Sequence, residues 1–451
     1  MFNEILDFFQ LIIDALIRPF EWVMLLLIVG GGFYLVFHSR LVPLGKISRG
    51  FKLLVTKDDN QGISRFKVLS AVLAATVGLG NISGVAIAIN MGGPGVLVWM
   101  WITAIIGMVI KFYSCSLSVQ LRTKDNKYQY LGGPMYYMRM GIKRYGRIMA
   151  IWFSIAGLFG VLPAFTANQL TASIINVVSP DRYFEIGEFY WKLIFGVIFC
   201  IISGAVIFGG LKKIVQVTSS LVPAMVGIYF LLGGYILVTN STQILPSFGL
   251  IFSQAFDTQT VITGGFWGLI LLGIRRAVFS NESGVGNAPM YHGQSQTKKG
   301  TDEGLVAMLG PLFDTILVCT ITGLVVIISK AYLIENLNGI TLTLEAFRRM
   351  FFGFGDELLL FMVLIFGVST LLTYSYYGVK CLGFLTNQKW GFLYNYFYIL
   401  SIIISSIVAV EVVVGLIDLS FALMCIPNML AVLYLSNRVL KEMRERKWVR
   451  F

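Results

Sequence analysis

Two runs of glycine and small polar residues interrupt apolar stretches of the chain. They are Thr76-Val77-Gly78-Leu79-Gly80-Asn81-Ile82-Ser83-Gly84 and Phe279-Ser280-Asn281-Glu282-Ser283-Gly284-Val285-Gly286-Asn287. Glycine lets the backbone leave helical geometry, which frees amide and carbonyl groups. Free N–H groups at a new helix start stabilise a carboxylate, and the preceding carbonyls can accept an ammonium group or a hard cation. Because two runs match, this reading outweighs the alternative that the glycines only allow close helix packing.

Two further groups of side chains could complete such a site. Glu282 places a carboxylate at predicted membrane depth, where an acid usually marks an ion pathway or a partnered site. It could bind the cation or relay a proton, or it could accept hydrogen bonds from amides of unwound backbone. Ser369 and Thr370 are adjacent hydroxyls that, with the carbonyls of 74–77, could form an oxygen cage for sodium. By themselves, such hydroxyls more often bond to the preceding turn of their own helix.

Other charged residues in apolar stretches have weaker patterns. They are Lys111, Arg275, Arg276, Asp314, Lys330 and Asp418. The acids can be structural, and one of the two arginines could pair with an acid such as Asp314. The lysines are predicted to extend their ammonium groups to a membrane interface.

The composition predicts a membrane protein without a second, soluble domain. Of 451 residues, 57% are hydrophobic and 13% are charged, too few to cover the surface of a soluble chain. The net charge of +12 is attributed to cytoplasmic loops and not to nucleic-acid binding. Five cysteines without a CxxC pair and two histidines predict neither disulfides nor a metal centre.

Eleven apolar segments are long enough to cross a bilayer as helices. We name them the accessory helix and core helices one to ten. In order, they are 19–37, 68–90, 94–120, 149–178, 190–209, 214–238, 261–290, 305–334, 355–378, 391–412 and 414–435. The two glycine runs lie in core one and core six, so the breaks fall in helices of opposite direction. That offset is typical of a five-plus-five inverted repeat with its site at the repeat interface.

The basic loops predict the orientation of the chain. Loops 38–67 and 121–148 each hold seven Lys or Arg residues and the tail after 435 holds six, whereas 239–260 holds none and 335–354 holds two. Eleven spans put the basic segments on one side, which is cytoplasmic by the positive-inside rule. We therefore expect a bacterial inner-membrane protein with its N-terminus outside and its C-terminus in the cytoplasm.

The same reading divides the chain into five parts. They are an accessory helix with a cytoplasmic connector (1–67), a first repeat (68–238), an external loop (239–260), a second repeat (261–435) and a basic cytoplasmic tail (436–451).

Six blocks resemble the alanine or glycine:cation symporters, also called sodium:alanine symporters. They are GLGNISGVAIAINMGGPGVLVWMW (78–101), GGPMYYM (132–138), RRAVFSNESGVGNAP (275–289), PLFDTILVCTITG (311–323), YSYYGVKCL (374–382) and DLSFALMCIPN (418–428). That family is similar to LeuT-type transporters. The resemblance implies an all-α polytopic fold of eleven transmembrane helices, ten of them in a 5+5 inverted repeat with core one and core six broken.

The resemblance also implies the ligands and their contacts. Sodium is expected between the carbonyls of Ala74 and Val77 and the hydroxyls of Ser369 and Thr370, with Glu282 as a possible coupling acid. A small neutral amino acid is expected between the breaks, with contacts from Thr76, Gly78, Gly80, Asn81, Thr166, Phe279, Asn281 and Tyr374. The expected partners are therefore this amino acid, the sodium ion and the lipid bilayer, with no cofactor.

Four positions depart from the family pattern, which has Gln at Thr166, Trp at Tyr374, Glu at Val379 and Glu at Ser114. The glycines of the breaks and the paired hydroxyls are unchanged. The shorter Thr166 leaves room for a larger or different substrate side chain.

The sequence as a whole predicts a sodium-coupled symporter of alanine or glycine type that works by alternating access. No GxxxxGK[ST] loop indicates ATP use. The alternatives are a proton-coupled permease with altered substrate, a non-transporting nutrient sensor, and a channel, which would need a continuous polar stripe. An enzyme is not expected, because His292 with Ser280 is the only nucleophile–base candidate.

Overall fold

The computed structural model describes residues 2–56, 62–125, 129–178, 186–256, 265–351, 353–408 and 410–449, and nearly all of them are helical. Two short strands, β1 (Thr123–Lys124) and β2 (Tyr130–Leu131), form an antiparallel hairpin. Residues 257–264, where the predicted external loop meets core six, lie outside the described residues.

Among the described residues, twelve helices precede the helix that leads into the second glycine run. They are α1 Phe2–His38, α2 Val42–Gly45, α3 Ile47–Val55, α4 Arg65–Thr76, α5 Leu79–Gly92, α6 Val96–Gln120, α7 Pro134–Gly141, α8 Gly146–Gly160, α9 Ala164–Val178, α10 Glu188–Ile207, α11 Gly210–Thr239 and α12 Ser241–Gln254.

The rest of the chain contains α13 Gly265–Asn281, α14 Ala288–His292, α15 Gly300–Ala307, α16 Leu309–Pro311, a π-helix Leu312–Cys319, α17 Thr320–Ile328, a 3₁₀-helix Ala331–Leu333, α18 Ile340–Met350, α19 Gly355–Leu385, a 3₁₀-helix Gly391–Leu393, α20 Tyr394–Ile407 and α21 Val410–Glu445.

Eight helical stretches of the described residues are long and apolar enough to cross a membrane, and the bent pair α4–α5 raises this to nine. The predicted core six and core nine contain the shorter helices α13 and α20, of 17 and 14 residues. The chain is therefore a multi-pass helical membrane protein. The count of eleven spans and the five-plus-five repeat remain predictions.

Segments that the sequence predicted as loops contain further helices. The segment 239–260 includes α12, and 335–354 includes α18. In α18, Ile340, Leu344 and Phe347 recur at helical spacing and are buried, whereas Arg348 and Arg349 end the helix. This apolar face packs against α5 and α19, which explains why the segment folds instead of forming a loop.

The break in core one is shorter than the predicted run 76–84. Helices α4 and α5 meet at 41° and only Val77 and Gly78 separate them. The new helix starts early because the Asn81 side chain caps it, with Gly78 N–H donating to Asn81 Oδ1 at 3.1 Å.

The break in core six starts later than the predicted run 279–287. Helix α13 continues to Asn281, and the non-helical residues are 282–287. Glu282, Gly284 and Gly286 have φ values of 53°, 87° and 104°, in the left-handed region. A Cβ at Gly286 would lie 2.7 Å from the Phe153 ring, so both the conformation and the space require glycine there.

Candidate substrate and cation site

A small cavity of about 30 Å³ lies between the two helix breaks. This exceeds the roughly 10–15 Å³ that one water molecule needs. Six predicted substrate contacts line the cavity: Thr76, Gly78, Gly80, Thr166, Phe279 and Tyr374. The other lining residues are Ala75, Leu79, Leu162, Phe165, Ser280, Thr370, Ile417 and Phe421. The structure therefore brings core helices one, three, six, eight and ten together around one space.

The polar wall of this cavity is the junction of α4 and α5. The first turn of α5 has N–H groups without intrahelical acceptors and carries the positive end of the helix dipole. Gly80 faces the Phe279 ring, which a Cβ would approach to 3.4 Å. This wall can bind a carboxylate through backbone amides, while the end of α4 offers carbonyl oxygens.

Three oxygen atoms converge beside this junction. The Ala74 carbonyl oxygen lies 3.2 Å from Ser369 Oγ and 3.1 Å from Thr370 Oγ1. Each hydroxyl also lies within hydrogen-bond distance of the Phe366 carbonyl oxygen, at 2.8 and 3.1 Å. Each hydroxyl has only one proton. When it donates that proton to the Phe366 carbonyl oxygen, the lone pairs of the hydroxyl face the Ala74 carbonyl oxygen. Hard cations prefer such oxygen ligands.

Val77, the fourth predicted sodium ligand, lies in the break itself. It is fully buried, and its N–H donates to the Leu73 carbonyl oxygen at 2.7 Å. Within the described part of the chain, no hydrogen bond joins Val77 to the two hydroxyls of α19.

Two asparagines that were predicted to contact substrate are bonded to the π-helix. Asn81 Nδ2 donates to the Asp314 carbonyl oxygen at 2.9 Å, and Asn281 Nδ2 donates to Thr315 Oγ1 at 3.2 Å. Asn281 Oδ1 also accepts a bond of 2.9 Å from Ser283 N–H. Both asparagines are absent from the cavity lining formed by the described residues, so they hold the two breaks against core seven in this structure.

Glu282 is buried and is hydrogen-bonded by side chains. Tyr374 Oη donates to Glu282 Oε1, and Asn287 Nδ2 donates to Oε2 at 3.0 Å. No backbone amide of the described residues donates to this carboxylate, contrary to one of the two sequence interpretations. Tyr374 thus joins the acid to the cavity, because its side chain also lines that space.

The other buried charges differ from their sequence predictions. Arg275 forms an ion pair with Glu21 rather than with Asp314. Arg276 interacts electrostatically with Asp418. Lys111 is only 1% exposed, so its ammonium group does not extend to an interface.

The sequence analysis did not predict the π-helix that carries Asp314 and Thr315. Such segments are rare and occur frequently at functional sites. The available signal was Pro311, which removes one backbone donor, followed closely by an acid in an apolar run.

Three aromatic rings form one end of the cavity. The Phe165 and Phe279 rings meet edge to face with centroids 5.0 Å apart, and Phe421 lies 6.3 Å from Phe279. Such pairs add stability beyond the area that they bury.

His292 and Ser280, the candidate nucleophile–base pair, bond to different partners. His292 Nδ1 lies 2.6 Å from Glu303 Oε1, whereas Ser280 Oγ lies 3.4 Å from Thr315 Oγ1 and from Cys319 Sγ. This arrangement offers no base to activate the serine.

Comparisons with known proteins show the family to which the chain belongs. The sequence profile of the sodium:alanine symporter family matches residues 5–449. The chain is 35% identical over 454 residues to the sodium/alanine symporter AgcS of Methanococcus maripaludis, covering 97% of both proteins. It is 30% identical over 430 residues to the probable sodium/glutamine symporter GlnT of Bacillus subtilis, covering 94% of this chain and 87% of that protein.

Among solved structures, the crystal structure of MhsT in complex with L-phenylalanine has a similar fold. The TM-score is 0.57 at 16% identity, covering 82% of this chain and 89% of that one. The fold is thus that of the LeuT-like transporters. The family profile and the relatives show that the chain is a transporter and not an enzyme. On its match over nearly the full length, this chain belongs to the sodium:alanine symporter family.

Proposed function

We propose that this chain is a sodium-coupled symporter that carries a small neutral amino acid, of alanine or glycine type, by alternating access. The supporting observation is that one cavity is lined by the break in core one, by the last turn of α13 before the break in core six, and by Thr370 of the carbonyl–hydroxyl oxygen cluster. Family membership independently supports secondary active transport of an amino acid.

In this proposal, the substrate carboxylate binds the free amides at the start of α5, near Gly78 and Gly80. The ammonium group binds carbonyl oxygens at the end of α4. The side chain lies toward Thr166 and Phe279, which line the same cavity. A cavity of about 30 Å³ favours glycine or alanine over larger amino acids.

Sodium binds between Ala74 O, Ser369 Oγ and Thr370 Oγ1, with Val77 as a further carbonyl ligand. The ion holds α4 against α19, two helices that already pack together. Its positive charge also lies next to the substrate carboxylate. Binding of either ligand therefore favours binding of the other, which is the coupling that symport requires.

The test is uptake of labelled alanine by the purified chain in proteoliposomes. We expect accumulation with an inward sodium gradient and none when potassium replaces sodium, with competition by glycine and none by phenylalanine. Accumulation driven by a pH gradient alone would instead identify a proton-coupled permease. Binding without accumulation under any gradient would identify a sensor, and either result would overturn the proposal.

A further inference from the structure

We infer that Lys111, Glu282 and Asp314 form a second binding site for a monovalent cation, a proton or a sodium ion. This site is separate from the oxygen cluster at Ala74, Ser369 and Thr370. It is independent of the substrate that the chain transports, because it rests on charge balance within the protein.

The three charged groups are buried, and two of them, Lys111 and Asp314, are incompletely bonded. Lys111, Glu282 and Asp314 are 1%, 2% and 0% exposed. Among the described residues, Lys111 Nζ and Asp314 Oδ2 have no hydrogen-bond partner. Buried polar groups are normally paired, so two unpaired charged atoms in one region indicate that a ligand belongs there.

The positions of the groups define one cluster. A Cβ at Gly310 would lie 3.3 Å from Lys111 Nζ, which places the ammonium group against the start of the segment that carries Asp314. Lys111 interacts electrostatically with both Glu282 and Asp314. It nevertheless forms no ion pair within 4.0 Å with either acid, so the ammonium group does not neutralise either carboxylate by direct contact.

The two carboxylates differ in how far they are bonded. Both oxygens of Glu282 accept hydrogen bonds, from Tyr374 and Asn287. Asp314 Oδ1 accepts a bond of 2.5 Å from Thr315 Oγ1, and Oδ2 accepts none from the described residues. Asp314 Oδ2 is therefore the open ligand position.

The formal charges of the cluster do not balance. One ammonium group faces two carboxylates, which leaves one negative charge among buried groups. The other titratable groups that interact with these acids are Cys319 on the π-helix and Tyr374 and Tyr377 on α19, none of which adds a positive charge. An uncompensated buried charge is strongly unfavourable, so a proton or a monovalent ion is required.

A second cluster of charges, in which Glu21 and Arg276 are buried and Arg275 and Asp418 are partly exposed, shows the contrast. Glu21 and Asp418 face Arg275 and Arg276, so two acids are balanced by two bases. That cluster needs no further cation. The deficit at Asp314 is therefore not shared by this cluster.

The Asp314 cluster lies beside the cavity wall. Thr76 Oγ1, which lines the cavity, lies next to the Asp314 carboxyl without meeting hydrogen-bond geometry. A cation at Asp314 consequently acts on the electric field at the proposed substrate position.

The experiment counts bound cations on the purified chain in nanodiscs, without any amino acid. Equilibrium binding of ²²Na⁺ counts sodium, and potentiometric titration counts protons. The wild type is expected to bind one cation more than Asp314→Asn, in which the cluster is neutral. An extra sodium identifies sodium as the ligand, and an extra proton identifies a proton. Equal counts of both ions in the two proteins would overturn the inference.

A charge cycle separates binding from a merely structural role of Asp314. The double variant Lys111→Gln with Asp314→Asn again carries one negative charge, so the cation lost in Asp314→Asn should return. The single variant Lys111→Gln should bind one cation more than the wild type, which provides a readout if Asp314→Asn does not fold. Asp356→Asn, which removes an acid outside the cluster, should leave the count unchanged. No return in the double variant would refute the charge-balance argument.

These counts also separate this inference from the proposed function. If the wild type takes up no amino acid but binds one cation more than Asp314→Asn, the cation site is supported and symport is disproved. If the wild type shows sodium-driven uptake but binds as many cations as Asp314→Asn, symport is supported and the cation site is disproved.

Discussion

At Thr370, one hydroxyl oxygen contacts both proposed ligand positions. It lines the cavity and lies 3.1 Å from the Ala74 carbonyl oxygen. The Thr370 side chain on α19 is thereby coupled to the end of α4. The break that follows α4 is where the substrate is proposed to bind.

Thr370→Ala removes one oxygen ligand from the proposed sodium site. A hydrogen bond or contact to a charged group contributes about 1.5–3 kcal/mol, so we expect the sodium concentration for half-maximal alanine uptake to rise at least about tenfold. The measurement is the sodium dependence of uptake in proteoliposomes. The ranking of competing amino acids should stay the same.

Thr373→Ala is the matched control, since Thr373 is also buried on α19. Its hydroxyl lies within hydrogen-bond distance of the Ser369 and Thr370 carbonyl oxygens of its own helix, at 3.0 and 3.1 Å. An equal loss of sodium affinity in this control would mean that the effect reports on the helix and not on the ion site.

Gly78 controls how closely the break approaches α19. A Cβ at this position would lie 2.8 Å from Thr370 Oγ1, a distance that Cβ atoms essentially never show. We therefore expect Gly78→Ala to displace the hydroxyl and to abolish sodium-dependent uptake, while the protein still inserts and purifies normally.

Gly84→Ala tests whether any methyl group on α5 is harmful. A Cβ at Gly84 would lie 3.9 Å from the Phe279 ring, which is ordinary contact. This variant should transport like the wild type and gain about 0.5–1 kcal/mol of stability from its helical position. Loss of uptake in both variants would contradict the role assigned to Gly78.

Side chains within one short run were more predictable than those that depend on several helices. The glycines of both breaks could be found from residue type alone. The free oxygen of Asp314 and the buried Lys111 could not, because their surroundings come from α6, the break after α13 and the π-helix. Asn81 and Asn281 were predicted near the substrate, but their bonds to core seven depend on a packing that no local pattern encodes.

At the scale of elements, the breaks differ in how the backbone is stabilised. The break in core one spans two residues because a side-chain cap restarts the helix. The break in core six is longer and is held by side chains from other helices. Asn428 Nδ2 donates to the Gly284 carbonyl oxygen at 2.7 Å, and Ser118 Oγ donates to the Pro289 carbonyl oxygen at 2.6 Å.

Gly286→Ala should therefore destabilise the folded protein through this element. The position has φ of 104°, and a Cβ would lie 2.7 Å from Phe153 and 3.0 Å from Pro134. Strained backbone of this kind costs about 1–3 kcal/mol. We expect a lower unfolding midpoint for the purified variant in detergent than for the wild type.

Gly227→Ala provides the comparison for this prediction. Gly227 lies inside α11, and a Cβ there would meet no atom within 4 Å. Its midpoint should equal or exceed that of the wild type. A Gly286→Ala midpoint at the control value would show that the break tolerates a side chain.

At the scale of the whole molecule, an ionic network forms around Glu303, and none of its residues lines the cavity. Glu303 Oε2 accepts hydrogen bonds from Ser295 Oγ and Thr297 Oγ1, at 2.6 and 2.5 Å. Arg65, at the start of α4, and Arg122, after α6, donate to the same segment at 2.9 and 2.6 Å. The network and the aromatic rings at the cavity are therefore separate sets of contacts, and the proposed alternating access would require each to open in turn.

We expect this ionic network to lie on the cytoplasmic side of the membrane. Seven Lys or Arg residues in each of 38–67 and 121–148, and six after 435, lie on the network's side of the predicted topology. Since the positive-inside rule depends on such short basic loops, it predicts the orientation of the whole bundle. With the predicted odd number of spans, the N-terminus is expected outside.

Fusion proteins test both the orientation and the parity of the span count. A green fluorescent protein after Phe451 should fluoresce, and an alkaline phosphatase at the same position should be inactive, because the first folds only in the cytoplasm and the second only outside it. A truncation after Asn240 follows the accessory helix and five core helices, so the same two reporters should give the opposite result there. Active phosphatase at the C-terminus would invert the topology and place the network of Glu303, Arg65 and Arg122 at the outer gate. Equal reporter behaviour at both positions would instead mean that an even number of spans separates them, which would remove the physical basis for an inverted repeat of five helices.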